Sequence, residues 1–123
     1  MATIKSYTDL EQSKRLAKIL PLKSADMYWD YDVRKIEYYP MIMDDQFDDT
    51  CIPCWSLAIL LIAIPKRIKG YNVLRIDISE NEFAIWYDEI GCGVNNNLPD
   101  ITKESAVDAC VEMIIKLHEL NLL

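Results

Sequence analysis

An apolar run bounded by two prolines constrains the fold of this chain more than any other feature. The run covers residues 54–64, with Pro53 before it and Pro65 after it. Proline suits the first turn of a helix, because no N–H needs a partner there, and it interrupts a helix elsewhere. Since the run is apolar on all sides, it predicts a helix over 53–64 that is the most buried element of the fold.

The length of the same run argues against a membrane protein. A helix that crosses a bilayer needs about 20 apolar residues, and a shorter run is more typical of a buried core helix. The first residues, MATIKSYTDL, have no apolar segment after their first positive charge, so they do not resemble a signal peptide. We therefore expect a cytoplasmic protein with reduced cysteines and no membrane partner.

Capping patterns predict two further helices. Thr8 and Glu11 have the spacing of a capping box, and Pro21 would end the helix that follows. Ser105 and Asp108 repeat the pattern before a last helix. That helix carries an apolar stripe along one side, formed by Ala106, Cys110, Met113, Ile114 and Leu117.

Two regions alternate between apolar and polar residues, which is typical of strands with one wet face. Residues 26–39 alternate and are rich in aromatics, so we predict one strand there, ended by Pro40. Residues 73–90 alternate on both sides of a polar turn, which predicts an antiparallel hairpin. In its first strand, the side chains expected to point into the core are Leu74, Ile76 and Ile78.

These elements give the order α-β-α-β-β-α. The order is typical of the α+β class, with a small and mainly antiparallel sheet packed against three helices. A length of 123 residues and a hydrophobic content of 51% suit one globular domain over 1–123.

Cys51 and Cys54 have the C-x-x-C spacing that occurs in dithiol redox centres and in zinc sites. A redox pair follows a buried strand, whereas here Asp48 and Asp49 precede the pair and would disfavour a thiolate. A zinc site needs four ligands, and the sequence has no second close pair. We interpret the cysteines as small apolar packing residues, and we predict no metal, cofactor or catalytic residue.

Other signals for chemistry are weak. His118, the one histidine, lies at the edge of the last helix's stripe, where packing or surface roles are the common ones. The sequence contains no phosphate-binding or metalloprotease motif. The chain is acidic, with a net charge of −7, which argues against binding nucleic acid through its phosphates.

Three segments of the chain resemble a known group of proteins. They are YTDLEQSKRLAKILPLKSADMYW, IPCWSLAILLIAIP and AVDACVEMIIKLHELNLL, which together contain the three predicted helices. In these segments the chain is similar to small uncharacterised proteins of gut anaerobic bacteria and of their phages or mobile elements. That group does not require the first cysteine of the pair and has no known activity or cofactor. The resemblance therefore implies that the C-x-x-C spacing is incidental.

The preferred hypothesis is a small cytoplasmic accessory or protein-interaction domain, encoded by a phage or mobile element. The interaction role follows from a chain that predicts a folded domain but contains no catalytic motif, and the phage or mobile-element origin is what the resemblance implies. Aromatic residues that alternate along one strand suit an interface for a partner or for self-association, and ordinary sheet packing is their other explanation. The predicted interaction surface consists of Tyr28, Trp29, Tyr31, Tyr38 and Tyr39.

Two alternative functions stay open at this point. One is a thiol-dependent redox enzyme that uses Cys51 and Cys54. The other is a small-ligand-binding module with a pocket near GCGVNNN, residues 91–97, whose asparagines offer hydrogen-bond donors and acceptors.

Overall fold

The computed structural model describes residues 5–69, 72–89, 93–94 and 97–123. Within these ranges the chain forms three α-helices and two antiparallel sheets, which confirms the α+β class. The helices are α1 Leu10–Leu16, α2 Leu57–Ala63 and α3 Ala106–Glu119, and a 3-10 turn covers Leu22–Ser24. The strands are β1 Met27–Asp32, β2 Glu37–Ile42, β3 Ile52–Cys54, β4 Arg67–Ile68, β5 Asn72–Ile78, β6 Phe83–Glu89, β7 Gly93–Val94 and β8 Ile101–Lys103.

The strands divide into two sheets rather than the one that the sequence predicted. The first sheet has the order β2-β1-β3. The second has the order β4-β5-β6-β7, and β8 pairs with the other end of β6. The predicted order α-β-α-β-β-α is therefore wrong in its strands. Strands of two or three residues, such as β3 and β8, are too short to produce a visible alternation.

The predicted strand over 26–39 is a hairpin of two strands, β1 and β2, joined by a turn at 33–36. Asp32 shapes the turn, because its carboxylate accepts hydrogen bonds from two backbone N–H groups of the turn. Pro40 does not end the strand but lies within β2, opposite Trp29. β2 is the outer strand of its sheet, and proline is tolerated on an edge whose N–H side faces away from the partner.

The apolar run forms a short strand and a short helix instead of one long helix. Pro53 lies in β3, and α2 begins only after Ser56, whose Oγ accepts a hydrogen bond from the N–H of Ile59. Within α2 only Leu60 is buried, and Ile62 is 73% exposed. The prediction that this helix is the most buried element is wrong, because α2 has barely two turns and turns one side to solvent. No described helix is long and apolar enough to cross a membrane.

The most buried helix is α3, which packs on α2, β6 and β8. It begins where the sequence predicted, since the Oγ of Ser105 accepts a hydrogen bond from the N–H of Asp108. The predicted stripe is confirmed for four of its five positions, and Ala106 is only half-buried. The buried side chains of α3 are Val107, Ala109, Cys110, Val111, Met113, Ile114 and Leu117.

The first helix begins one residue later than predicted. Its N-cap is Asp9, which accepts from the backbone N–H of Gln12, while the Gln12 side chain accepts from the N–H of Asp9. Thr8 is fully buried, and its Oγ1 accepts a hydrogen bond from the N–H of Trp55. A capping box is therefore present, but its N-cap is Asp9. Thr8, the N-cap that the sequence predicted, makes a tertiary hydrogen bond with Trp55 instead.

The second predicted hairpin is confirmed as β5 and β6. One face of β6 is buried through Phe83, Ile85 and Tyr87, which join the hydrophobic core. The predicted burial of β5 is wrong at its far end, where Ile76 is 41% exposed and Ile78 is 74% exposed. They share a face with the core residues of β6, but α3 lies over β6 and β8 and leaves this end of β5 uncovered.

Candidate functional site

The β1–β2 hairpin separates the five predicted surface residues onto two faces. Tyr31 lies opposite Tyr38, and their rings meet edge to face with centroids 5.1 Å apart. Trp29 shares this face, because it is two residues from Tyr31 in the same strand. Tyr28 and Tyr39 lie on the opposite face. Tyr28 comes one residue before Trp29, and Tyr39 pairs with Asp30, which lies between Trp29 and Tyr31. The five aromatics therefore do not form one continuous patch.

Tyr28 is fully buried, so the expectation that it contributes to an accessible surface is wrong. Its hydroxyl donates to Oδ1 of Asp44 at 2.7 Å, and its ring meets Phe47 edge to face with centroids 5.5 Å apart. The hydrogen bond to Asp44, together with burial, raises the pKa of Tyr28. The acidic loop after β2 thus folds back over this end of the hairpin. Tyr28 acts as a packing residue there.

Trp29 is half-buried at the base of the hairpin. Its indole N–H donates to Oγ of Ser13 in α1 at 3.2 Å, and its ring meets Tyr7 with centroids 5.9 Å apart. The main role of Trp29 is therefore to attach the hairpin to α1 rather than to contact a partner. On the other face, the Tyr39 hydroxyl donates to Asp30 at 3.1 Å, which raises the pKa of Tyr39.

The exposed apolar residues of the hairpin include Tyr31, Val33 and Ile36 in its far half and Ile42 at its base, opposite Met27. We call the turn at 33–36 the tip of the hairpin. The tip has the sequence Val-Arg-Lys-Ile, and both of its aliphatic side chains are more than three-quarters exposed. Its last residue, Ile36, has a φ of 55°, a region that β-branched residues avoid. The sequence interpretation missed the tip because it treated residues 26–39 as one strand.

The two cysteines of the C-x-x-C pair face different surroundings and are not bonded to each other. Sγ of Cys51 lies 3.8 Å from Oδ1 of Asp30 and 3.7 Å from Oδ1 of Asp48. Cys54 is fully buried, and its Sγ lies 3.4 Å from both Oγ1 and the carbonyl oxygen of Thr8.

Burial raises the pKa of both thiols, and the carboxylates of Asp30 and Asp48 raise that of Cys51 further. A thiol with a raised pKa is a poor nucleophile, because the thiolate is the reactive form. The pair also does not lie at a helix N-terminus, since α2 begins after Ser56. These surroundings argue against the thiol-dependent redox alternative.

A cleft of about 480 Å³ lies between α1 and α3. Asp108 is its central ion-pair partner, accepting from Lys5 Nζ and from Gln12 Nε2, each at 2.7 Å. Although burial opposes ionisation, these two hydrogen bonds hold the pKa of Asp108 below its usual value. Lys103 and Glu112 form a further pair at 2.9 Å. Asp108 with Lys5 and Glu112 with Lys103 thus form ion pairs inside the cleft, while Arg15 and Glu119 also line it. The paired charges suit a contact that holds the helices together more than a binding pocket.

Among the residues that the structure describes, no group of three or more histidine, cysteine or acidic side chains could hold a metal ion. Most of the predicted GCGVNNN site lies outside the described residues, including Cys92. At its end, Asn97 and Leu98 border a cavity of about 220 Å³ that is smaller than typical ligand pockets, roughly 300–1,000 Å³. His118 is exposed on α3.

Comparison of the chain with protein-family models, with curated proteins and with solved structures finds no match. The geometry of the chain is therefore the basis on which its function is inferred.

Proposed function

We propose that this protein is a protein-binding module and that the β1–β2 hairpin is its binding element. The observation that carries the proposal is the exposure of large apolar side chains on this one element. Val33 is 77% and Ile36 is 76% exposed in the turn, and the neighbouring Tyr31 is also exposed, while Ile42, 78% exposed, lies at the base of the hairpin opposite Met27. Soluble proteins rarely gather such residues in one place unless they are covered by a partner.

The far half of the hairpin projects from its sheet, which makes it accessible. β3 pairs with β1 only from Met27 to Trp29. Beyond Trp29, β1 and β2 pair only with each other within the described part of the chain. A two-stranded ribbon is marginally stable by itself, so burying its apolar side chains against a partner stabilises both the ribbon and the complex.

The chemistry of the hairpin indicates what kind of protein surface it fits. Tyr31 and Tyr38 combine a large apolar ring with a polar hydroxyl, the combination that is enriched in interfaces. Arg34 and Lys35 at the tip carry positive charge on a chain whose net charge is −7. A matching surface has an apolar pocket for the tip and acidic groups at its rim.

The proposal keeps the accessory role, the cytoplasmic location and the phage or mobile-element origin that the sequence suggested. The raised pKa values of Cys51 and Cys54 and the ion pairs of Asp108 with Lys5 and of Glu112 with Lys103 in the α1–α3 cleft support a binding role over an enzymatic one. The exposed apolar residues of the hairpin are then explained most directly by a binding partner.

Affinity capture with matched variants tests the proposal. Ile36→Asn removes an apolar contact from the tip, and Ile62→Asn removes an equally exposed isoleucine, 73% exposed, from α2. The wild type and both variants would be used as bait in lysate of cells that naturally carry the gene, with quantitative mass spectrometry of the bound proteins.

The expected result is a partner that the wild type and Ile62→Asn retain and that Ile36→Asn loses. Asparagine adopts a positive φ more readily than isoleucine, so Ile36→Asn should fold at least as well as the wild type. Loss of a partner from this variant would then not result from unfolding. If all three proteins recover the same partners, or Ile62→Asn is the variant that loses them, the hairpin is not the binding element.

A further inference from the structure

The outer edge of β5 has no strand partner over its second half among the residues that the structure describes. β4 pairs with β5 only at Asn72 and Val73, and the N–H of Leu74 donates to the carbonyl of Lys66 just before β4. No described strand lies beside β5 at residues 76–78 on the side away from β6. An unpaired edge presents backbone donors and acceptors to any extended chain.

The backbone groups at this edge point outward in a defined pattern. Along an antiparallel strand, the N–H and C=O groups of successive residues point to alternate sides. The N–H of Leu74 points away from β6, toward Lys66. The backbone groups of Ile76 and Ile78 therefore point the same way, which places two donors and two acceptors on the edge.

The side chains at the edge add specificity to these backbone groups. Ile76 and Ile78 lie on the core side of the sheet, opposite Ile85 and Phe83, and both are exposed. Asp77 lies on the outer face and is exposed. The nearest basic residue on that face, Arg75, is engaged with Asp88 at 3.4 Å. A strand that pairs here lies beside Ile76 and Ile78 on the core side of the sheet and beside the Asp77 carboxylate on the outer face.

Two features disfavour a second wild-type copy as the added strand. An antiparallel pair of β5 edges centred on residue 76 would place Ile78 of one copy where Lys66 already lies beside Leu74 of the other. A pair centred on residue 77 avoids that overlap, but it brings the two Asp77 side chains directly opposite each other. Like charges at directly opposed positions are destabilising.

The occupied half of the same edge shows which residues suit it. β4, which runs antiparallel to β5, consists of Arg67 and Ile68. Ile68 is buried on the core side, whereas Arg67 is exposed on the outer face opposite Val73. The segment already bound to β5 is thus apolar on the inside and basic on the outside.

We infer that residues 76–78 of β5 bind an extended segment of another protein, antiparallel to β5. The segment has apolar residues beside Ile76 and Ile78 and a lysine or arginine opposite Asp77. It continues the line of β4 and adds a strand to the second sheet. This surface lies on a different sheet from the β1–β2 hairpin and does not depend on the function proposed for that hairpin.

The chain itself supplies a probe of the required chemistry. In the variant Asp77→Lys, the edge reads Ile-Lys-Ile, which is an apolar–basic–apolar segment on an identical fold. Sedimentation velocity would measure association of the wild type, of Asp77→Lys and of their equimolar mixture, each checked for an unchanged melting temperature. In the mixture, Asp77 of one copy faces the lysine of the other.

The expected result is that the mixture associates about tenfold more tightly than either protein alone, since an attractive cross-strand pair replaces a repulsive one. Ile76→Pro, introduced into the Asp77→Lys protein, should abolish this association. Proline removes an N–H that points outward and leaves the pairing with β6 in place. The inference is overturned if the mixture is no more associated than its components, if Ile76→Pro has no effect on it, or if the wild type alone pairs as strongly through this edge.

Discussion

The two long hairpins of this protein, β1–β2 and β5–β6, have similar sequence patterns but differ in how far their apolar side chains are buried. Each alternates apolar and polar residues over about the same length, and each pairs in a regular antiparallel register. β6 lies under α3 and buries Phe83, Ile85 and Tyr87, whereas the apolar side chains in the far half of the β1–β2 hairpin stay exposed. Alternation thus identifies a strand, but the element that packs on it decides whether its apolar residues are core or surface.

The largest expected effect compares one isoleucine from each hairpin. Ile85 is fully buried and Ile42 is 78% exposed. Ile85→Ala should lower the free energy of unfolding by about 2–5 kcal/mol, because it removes buried methyl groups and leaves a cavity. Ile42→Ala should change it by roughly 0.5 kcal/mol or less. Chemical denaturation followed by circular dichroism measures both, and equal losses would show that the β1–β2 hairpin is covered in solution.

A second prediction concerns the attachment of the exposed hairpin to the rest of the fold. Asp26 precedes β1 and accepts hydrogen bonds from the N–H of Ser56, at 2.9 Å, and from its Oγ, at the start of α2. Asp26→Ala should cost about 1.5–3 kcal/mol, because hydrogen bonds to a charged group are lost and the helix cap is disturbed. Asp45→Ala, at an exposed loop carboxylate, is the control and should leave the denaturation midpoint unchanged. Equal midpoints for the two variants would mean that Asp26 does not hold the hairpin.

A smaller effect, of the opposite sign, is expected at the tip. Ile36→Asn should raise the free energy of unfolding by roughly 1 kcal/mol, because isoleucine is strained at positive φ and asparagine is much less so. Val33→Asn lies in the same turn but is not among the residues with positive φ, and it should be close to neutral. Thermal unfolding of the two variants separates the backbone effect from the loss of an exposed side chain. A destabilised Ile36→Asn protein would contradict the turn geometry.

The smallest expected effect is on stability at alkaline pH, and it is absent at neutral pH. Burial raises the pKa of Cys110, in α3, from 9.0 to about 12. In the unfolded chain this thiol loses its proton first, so the unfolded state binds fewer protons and stability falls as the pH rises from 9.0 toward about 12. Cys110→Ala should flatten that decline, and it should do so more than Cys51→Ala, since Cys51 retains some solvent contact. Denaturation midpoints across this pH range measure both slopes, and identical slopes would argue against the full burial of Cys110.

The parts of the fold that could be predicted from the sequence are those whose signals are local. Ser105 caps α3 through a residue three positions away, and the α3 stripe repeats at helical spacing, so both were recognisable. The turn between β1 and β2 was not, because it uses Val33 and Ile36 in place of glycine or asparagine. Its stabilising contact is the Asp32 carboxylate, a residue that also continues the strand alternation.

The candidate site was predictable only in part, since exposure is a property of the assembled fold. Tyr28 and Tyr31 have the same residue type and lie in the same strand, yet the loop that carries Asp44 and Phe47 covers one and not the other. The unpaired edge at Ile76 depends likewise on where β4 stops. Alternation places Tyr28 and Tyr31 on opposite faces of β1, but it does not show which face the loop covers or where β4 stops.

The tryptophans give each of these regions its own optical signal. Trp29 is half-buried at the base of the exposed hairpin, with its indole N–H on Ser13. Trp86 is half-buried on the outer face of β6, directly opposite Arg75 and one strand away from the β5 edge. Trp55 is fully buried, with its indole N–H on Ser24. Variants that keep a single tryptophan would therefore distinguish, by intrinsic fluorescence and without an attached dye, binding at the hairpin, binding at the β5 edge and unfolding of the core.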